Sequence, residues 1–205
     1  TLGIFIGEVE VEGISVSTRP IKAKFSYKDC VIYSWNIDEE WRRWETEVYT
    51  DSEGRTRTRR VLRSGWTTVD GESLYQGFYI KDEFGYVWVY PKGADYDTLT
   101  LFDEYSYHGQ ALYAMGPHEN IPDSTGRRRF YESGIPIGTP LFVRGRASER
   151  PDIVAPQIVA DPQAEMFIIS TKKEKDISNG KAVAYILWNM LGMAMAAVLG
   201  TVAMP

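Results

Sequence analysis

The stretch Phe78-Tyr-Ile-Lys-Asp-Glu-Phe-Gly-Tyr-Val-Trp-Val-Tyr90 decides the fold class of this chain. Within it, Tyr86-Val-Trp-Val-Tyr90 alternates aromatic with β-branched residues, which is typical of a strand. The segment Leu74–Lys81 has a similar pattern and precedes the turn Asp82-Glu-Phe-Gly85. Two such segments around a short glycine-containing turn predict a β-hairpin.

Strand signals recur along the chain on both sides of this hairpin. The further predicted strands are Thr1–Ser17, Ile21–Phe25, Cys30–Ile37 running on into Trp41–Thr50, Leu99–Phe102, Ala111–Met115, Leu141–Ala147 and Phe167–Thr171. The segment Pro151–Pro162 contains three prolines and predicts an irregular surface loop. About ten strands without an alternating helix pattern predict an all-β antiparallel domain, barrel- or sandwich-like.

A long polar hairpin is expected around the turn Asp51-Ser-Glu-Gly54. Gly54 is suited to the positive φ that such a turn requires. Carboxylates precede the turn at Glu45 and Glu47, and arginines follow it at Arg55, Arg57, Arg59 and Arg60. Cross-strand ion pairs on a solvated hairpin are the favoured interpretation. The alternative is a patch that binds anionic phosphate or lipid headgroups.

Charge and cysteine content exclude several classes of function. The net charge of −5 argues against nonspecific DNA or RNA binding, which needs a basic face. The single cysteine, Cys30, allows no internal disulfide, CxxC redox pair or Cys-based zinc cluster. Because it begins an apolar strand, Cys30 is expected to pack as a small hydrophobic residue and not to act as a nucleophile.

The two histidines, His108 and His118, are candidates for a metal site. Acidic residues lie near them at Asp103, Glu104 and Glu119. Their spacing crosses Gly116-Pro117 and matches no helical metal-binding motif, so both histidines are interpreted as loop residues. No catalytic motif, phosphate-binding loop or acid–base pair is recognisable. The sequence therefore predicts neither an enzyme, nor a bound metal, nor a cofactor.

The last part of the chain predicts a membrane anchor. The run Ala182–Met204 contains no charged residue and spans roughly 35 Å as a helix, enough to cross a hydrocarbon layer. We divide the chain into a β-rich domain at 1–171, a polar basic linker at 172–181 and a transmembrane helix at 182–204. Lysines precede the helix at Lys172, Lys173, Lys175 and Lys181. The positive-inside rule then predicts an inner-membrane protein whose soluble domain is cytoplasmic.

The predicted helix carries a stripe of small residues. Gly192, Ala196 and Gly200 recur every four positions, which allows another helix to approach closely. Asn189 lies one position off the stripe and is expected to hydrogen-bond across the same interface. The predicted partners are therefore membrane proteins and the lipid bilayer, and not nucleic acid.

The order of these motifs resembles the GIDE domain, also called the MULAN or "beside a membrane" domain. The resemblance covers most of the chain and rests on Val9–Gly13, Cys30–Tyr33, the polar hairpin, Phe78–Val89, Ile135–Ala147, Ile153–Pro156 and Phe167–Thr171. In eukaryotic members the domain lies between two transmembrane helices, and a C-terminal RING carries ubiquitin-ligase activity. With one cysteine and two histidines this sequence cannot form a two-zinc RING, so it is most similar to the RING-less, bacterial-type members.

The residues and the resemblance together predict a membrane-anchored, non-catalytic interaction or scaffold protein. Such a protein is expected to be an accessory subunit of a larger membrane complex. The alternative is a membrane-tethered enzyme related to the GIDE ubiquitin ligases, whose RING these residues do not contain.

Overall fold

The computed structural model describes residues 6–164 and 166–172. These residues form strands and one short 3-10 helix, Tyr113–Met115. The strands are β1 (Gly7–Val16), β2 (Ile21–Lys22), β3 (Asp29–Thr50), β4 (Thr56–Tyr75), β5 (Phe78–Lys81), β6 (Tyr86–Val89), β7 (Asp95–Tyr96), β8 (Leu99–Tyr107), β9 (Ser124–Pro136), β10 (Pro140–Glu149), β11 (Pro156–Val159) and β12 (Ile168–Ser170). The predicted all-β architecture is confirmed for this part of the chain.

The predicted anchor at 182–204 lies outside the described residues, as does the linker beyond Lys172. Within the described residues, no helix has the length and apolar character needed to span a bilayer.

Five strands close into a barrel. Strand β1 pairs antiparallel with β5 and with β10, and β5 pairs antiparallel with β6. Strand β11 completes the ring by pairing antiparallel with β10 and parallel with β6. The resulting order, β1-β5-β6-β11-β10, is that of the five-stranded Greek-key barrel called the OB-fold. The expected barrel is present, but β11–β6 and β12–β7 are parallel pairs, so the sheets are not purely antiparallel.

The barrel interior is filled by alternate residues of its strands. Phe78 and Ile80 of β5 face inward with Val87 and Val89 of β6, and all four are buried. Strands present successive side chains to opposite faces, so their neighbours in sequence must point outward. This alternation places the even-numbered residues of the hairpin's first strand in the core and the odd-numbered ones at the surface.

A second sheet is inserted into the barrel sequence. Strands β2, β3 and β4 lie between β1 and β5 in the chain, and β8 and β9 lie between β6 and β10. The long strand β3 pairs with β9 along one edge and with β2 and then β4 along the other, while β8 adds to β9. The second sheet has a hydrophobic core of its own, which contains Phe25, Tyr33, Trp35, Ile37 and Phe130.

The predicted polar hairpin extends beyond this sheet as a two-stranded arm. Pairing between β3 and β9 ends at Trp41 and Ser124, whereas β3 and β4 stay paired to Thr50 and Thr56. Gly54 has φ +74°, which confirms the expected turn geometry. We call residues 42–64 the arm; at ~3.3 Å per residue it is roughly 30 Å long.

Two sequence predictions about local structure are wrong. Ala111–Met115 was expected to be a strand, but its residues lead into the 3-10 helix. Pro151–Pro162 was expected to be irregular, but it contains β11, whose hydrogen bonds close the barrel. In both places the deciding partner comes from a distant part of the chain: Arg128 for the first segment and β6 for the second.

Arg128 and Glu39 form a fully buried ion pair between β9 and β3. Arg128 Nε donates to Glu39 Oε2 at 2.9 Å. Its two terminal nitrogens donate to the carbonyls of Tyr113, Pro117 and Glu119 and to the side chain of Asn120. Burying a guanidinium is tolerable only when its donors are satisfied, and here they hold the β8–β9 connection against the sheet.

Glu132 fixes the loop before β3 in the same manner. Its buried carboxylate accepts hydrogen bonds from the backbone of Phe25 at 2.6 Å and of Ser26 at 2.9 Å, and from the Tyr33 hydroxyl. Burial, reinforced by the bond to Glu132, raises the pKa of Tyr33. The carboxylate bonds stop the predicted strand Ile21–Phe25 early, at Lys22.

We expect Arg128→Met to lower the free energy of unfolding by about 3–5 kcal/mol, because Glu39 would remain buried without a cation. The matched control is Arg129→Met, which removes the half-exposed partner of Asp103 and should cost no more than about 1 kcal/mol. Urea unfolding followed by tryptophan fluorescence measures both. Equal losses in the two variants would show that the buried pair has no special structural role.

Candidate interaction surface

A row of aromatic side chains covers the outside of the barrel hairpin. Tyr75 ends β4 next to the hairpin, Tyr79 is an outward position of β5, and outward positions on β6 and its end carry Tyr86, Trp88 and Tyr90. We call these five residues the aromatic ladder. Tyr75, Tyr86 and Tyr90 are exposed, and Tyr79 and Trp88 are half-buried.

The rings of the ladder contact one another across the two strands. The Tyr79 and Trp88 ring centroids lie 4.9 Å apart in an edge-to-face arrangement. Tyr79 also meets Tyr86 at 6.2 Å, and Tyr75 meets Tyr90 at 6.0 Å, both nearly perpendicular. Such contacts hold the rings in fixed positions, so the ladder is preorganised and loses little side-chain entropy when it binds.

Gly77 makes room for the central ring of the ladder. A Cβ at this position would lie 2.0 Å from the six-membered ring of Trp88, so the indole rests directly against the backbone of residue 77. Gly77 therefore leaves room for the Trp88 ring beside Tyr79, with the two ring centroids 4.9 Å apart. A side chain at residue 77 would push Trp88 out of the ladder.

Two cations border the ladder. The Arg150 guanidinium lies 5.2 Å from the Trp88 ring and also reaches the Tyr79 hydroxyl, and Lys81 lies 5.6 Å from the Tyr86 ring. Arg150 is bonded through two nitrogens to Asp152, which lowers the pKa of that carboxyl. The surface is thus mainly aromatic, and Lys81 has no ion-pair partner among the residues that the structure describes.

The four arginines predicted as an anionic-surface patch do not face the same way. Arg57 and Arg59 bond to Asp51 and Glu47 on one face of the arm, and Arg55 contacts Asp51 and Glu53 at the turn. The carboxyl of Asp51 has a lowered pKa because the Arg55 backbone and the Arg57 side chain both donate to it. Arg60 points to the opposite face, where its guanidinium lies 5.4 Å from the Trp44 ring.

His108 and His118 line the same cavity, which measures about 650 Å³ and lies over the loop held by Arg128. The acidic residues considered with them do not join this cavity, and Asp103 is bonded instead to Arg129. Among residues 6–164 and 166–172, no group of three or more His, Cys, Asp or Glu side chains is placed to hold a metal ion. The residues described around this cavity therefore provide two histidines and no carboxylate or thiol as a third metal ligand.

Cys30 is fully buried beneath the second sheet. Burial, with the nearby charges of Glu132 and Asp29, raises the pKa of its thiol to about 11. Its Sγ lies 3.8 Å from the Lys28 carbonyl. This environment suppresses thiolate formation, which is the opposite of what a nucleophilic cysteine needs.

The predicted helix interface at Asn189, Gly192, Ala196 and Gly200 lies outside the described residues, as do Lys173, Lys175 and Lys181. Lys172 is the last residue described; its backbone N–H donates to the Ser170 hydroxyl. These predictions therefore stand on the sequence alone.

The aromatic ladder is the feature that sequence reasoning missed. The hairpin was predicted, and the alternation of Tyr86, Trp88 and Tyr90 was visible, but it was interpreted only as a strand signal. The additional signal was Gly77 between Tyr75 and Tyr79, which marks a strand position where a ring from the partner strand lies over the backbone.

Comparison with known proteins identifies a family. The family model named GIDE, described as "E3 Ubiquitin ligase", matches residues 46–204. This match covers well over half of the chain and includes most of the arm, both hairpin strands of the ladder and the predicted anchor. No match is found among the curated proteins or the solved structures.

We expect Cys30 to resist thiol reagents in the folded protein. At pH 8 a pKa of about 11, against an ordinary value of 9.0, leaves about a hundredfold fewer thiolates, and burial blocks access as well. Ellman's reagent should react with the protein in guanidinium chloride but not in native buffer. Stoichiometric reaction of the native protein would contradict the buried placement of Cys30.

Proposed function

The chain belongs to the GIDE family, and from that premise we propose that it is a membrane-anchored, non-catalytic interaction protein that binds a partner polypeptide on the aromatic ladder. The observation that carries this proposal is the ladder itself. Tyrosine, tryptophan and arginine are the residue types that contribute most to binding energy at protein interfaces. Here five rings contact one another in two groups, Tyr79 with Tyr86 and Trp88, and Tyr75 with Tyr90, and Arg150 borders the first group.

The position of the ladder in the barrel supports the same proposal. In OB-folds the face built from the second and third strands binds extended ligands. Strands β5 and β6 occupy those two places in the ring, and the β10–β11 connection, which supplies Arg150, borders them. This support is an analogy at the level of fold, and the residues decide which ligand fits.

The charge around the ladder favours a polypeptide over a nucleic acid. Proteins that bind single strands combine stacking rings with a positively charged groove. On this surface Arg150 is neutralised by Asp152, and Lys81, which has no ion pair within the described part of the chain, precedes the acidic turn residues Asp82 and Glu83. Aromatic-lined grooves of low charge are typical of sites for extended, proline-rich peptide segments.

The membrane part of the proposal rests on the sequence. The uncharged run Ala182–Met204 supplies the anchor, and the four lysines before it give the cytoplasmic orientation. The stripe of Gly192, Ala196 and Gly200 gives this helix a face for packing against a second helix. An anchor that packs against another helix, joined to a recognition domain, is the organisation expected of an accessory subunit in a membrane complex.

The second candidate function is ubiquitin transfer, which the family description favours. RING domains hold two zinc ions through cysteine and histidine ligands. The 205 residues contain one cysteine and two histidines, too few for such a site. We therefore assign to these residues the recognition of a partner and not the transfer step.

The ladder is tested by site-specific photocrosslinking in native membranes. A photoreactive phenylalanine analogue that replaces Tyr86 should form a crosslinked adduct with one segment of a single partner protein. Tyr90→Ala in the same chain should reduce the yield of that adduct about tenfold, as expected for a hot-spot residue. The matched control places the analogue at Tyr96, which is exposed but lies on β7. Equal adducts at residues 86 and 96 would contradict the proposal.

The ubiquitin alternative is tested with the purified chain, activating enzyme, conjugating enzyme and ubiquitin. We expect the rate of ubiquitin discharge to equal that of the same mixture without the chain, because one cysteine and two histidines cannot form a two-zinc RING. Acceleration that zinc chelation abolishes would replace the proposed function with the ligase.

A further inference from the structure

The arm has two chemically different faces. Alternation along the paired strands sends Trp44, Thr46 and Val48 of β3 to one face, together with Thr58, Arg60 and Leu62 of β4. We call this the apolar face of the arm. The other face holds Arg43, Glu45, Glu47, Arg59 and Arg63.

All the carboxylates of the paired arm strands lie on the second face and are ion-paired there. Glu45 contacts Arg43 at 2.7 Å, and Glu47 contacts Arg59 at 2.8 Å. Arg63 lies within 3.8 Å of both carboxylates. The three arginines on this face exceed the two glutamates by one charge, but both carboxylates are ion-paired, as expected for a surface that remains in water.

The apolar face is exposed and positively charged. The exposed fractions of Trp44, Val48 and Leu62 are 59%, 63% and 46%. Arg60 lies over Trp44, and neither Arg60 nor Arg42 has a carboxylate partner among the residues that the structure describes. No Asp or Glu occupies an outward position on this face. Where the arm joins the second sheet, the arginines are paired again: Arg127 contacts Glu40, and Arg129 contacts Asp103.

From these observations we propose that the apolar face of the arm docks on the headgroup layer of an anionic lipid bilayer. Tryptophan and aliphatic side chains enter the headgroup boundary, and unpaired arginines attract anionic lipids. Hydroxyl groups at Thr46 and Thr58 suit the hydrated boundary between the apolar residues. The absence of carboxylates from this face removes the repulsion that anionic lipids would otherwise cause.

The size of the face favours a bilayer over a protein partner. Two strands of this length present roughly 300 Å² on one face. A stable protein–protein interface needs about 800 Å² from each partner. A lipid surface needs no such area, because the membrane anchor supplies most of the attachment and the arm adds orientation.

The bilayer is within reach if the anchor is as proposed, and the inference rests on that part of the proposed function. Lys172 ends the described chain, and the uncharged run begins at Ala182. Nine residues lie between them, and the ten Cα–Cα steps from Lys172 to Ala182 span at most about 35 Å. The β domain is thereby held near the surface, where an arm roughly 30 Å long can lie along it.

The test uses the full chain incorporated into vesicles of phosphatidylcholine, with or without about 30% phosphatidylserine. An environment-sensitive fluorophore is attached at Thr46→Cys on the apolar face, or at Val61→Cys on the ion-paired face as the control. Brominated lipids then report contact with the bilayer. The unmodified chain serves as the labelling blank for the buried Cys30.

We expect brominated lipids to quench the fluorophore at residue 46 at least threefold more than the one at residue 61 in vesicles containing phosphatidylserine, since only the apolar face enters the lipid. Arg60→Gln should weaken arm contact about fivefold. Arg59→Gln, which changes the net charge equally on the other face, should leave it unchanged.

Flotation of the vesicles separates the arm from the anchor. If the chain floats but residue 46 is no more quenched than residue 61, or is quenched equally without phosphatidylserine, the arm inference is overturned and the anchor stands. Efficient Thr46→Cys disulfides between two chains would overturn it in favour of a second copy. If the chain floats only with phosphatidylserine and Arg60→Gln abolishes flotation, the arm inference is supported and the proposed membrane anchor is contradicted. A chain that floats on neither vesicle overturns both.

Discussion

Closure of the five-stranded ring is the constraint on which the rest of the structure depends. It is completed by β11, a short strand whose backbone bonds to β10 on one side and to β6 on the other. Once the ring is closed, its five strands occupy one another's edges, except that Phe142–Arg144 of β10 pairs with β12. Most additional strands must therefore attach elsewhere. The chain meets this requirement by placing β2–β4 and β8–β9 in a second sheet, inserted between barrel strands. Closure also fixes which residues of β5 and β6 face outward, and so sets the ladder in place.

Buried ionic groups join the irregular segments to this framework. Arg128 with Glu39 holds the connection between β8 and β9, and Glu132 holds the loop before β3. Arg128 donates to loop carbonyls, and Glu132 accepts from loop N–H groups. The loops are thereby held by single charged side chains on β3 and β9, while the outward residues of the aromatic ladder and the two faces of the arm follow from strand alternation.

Period-two patterns made much of the fold predictable. Tyr86–Tyr90, Cys30–Ile37 and Leu141–Ala147 are strands because local alternation and burial agree there, and the turns at Gly54 and Gly85 followed from glycine. The predictions that were wrong concern segments whose structure depends on residues far away in the sequence. Pro151–Pro162 has poor strand propensity, yet β6 and β10 pair with part of it. The ladder required knowing that Tyr79 and Trp88 face the same way, and the division of Arg57, Arg59 and Arg60 between faces required the register of the arm.

The pairing of β1 with β10 also sets an order of events for the growing chain. Gly7 pairs with Ala147, so the barrel cannot close until nearly the whole domain has left the ribosome. The β3–β4 hairpin, by contrast, joins neighbouring segments and can pair much earlier, since loop closure costs more entropy as the loop lengthens. During synthesis the two strands of the arm are therefore available for pairing before β10 and β11, the last two strands of the barrel. Until then the apolar sides of β1 and of the β5–β6 hairpin lack their barrel partners and are prone to aggregation. Successful folding therefore depends on the synthesis of the second half of the domain.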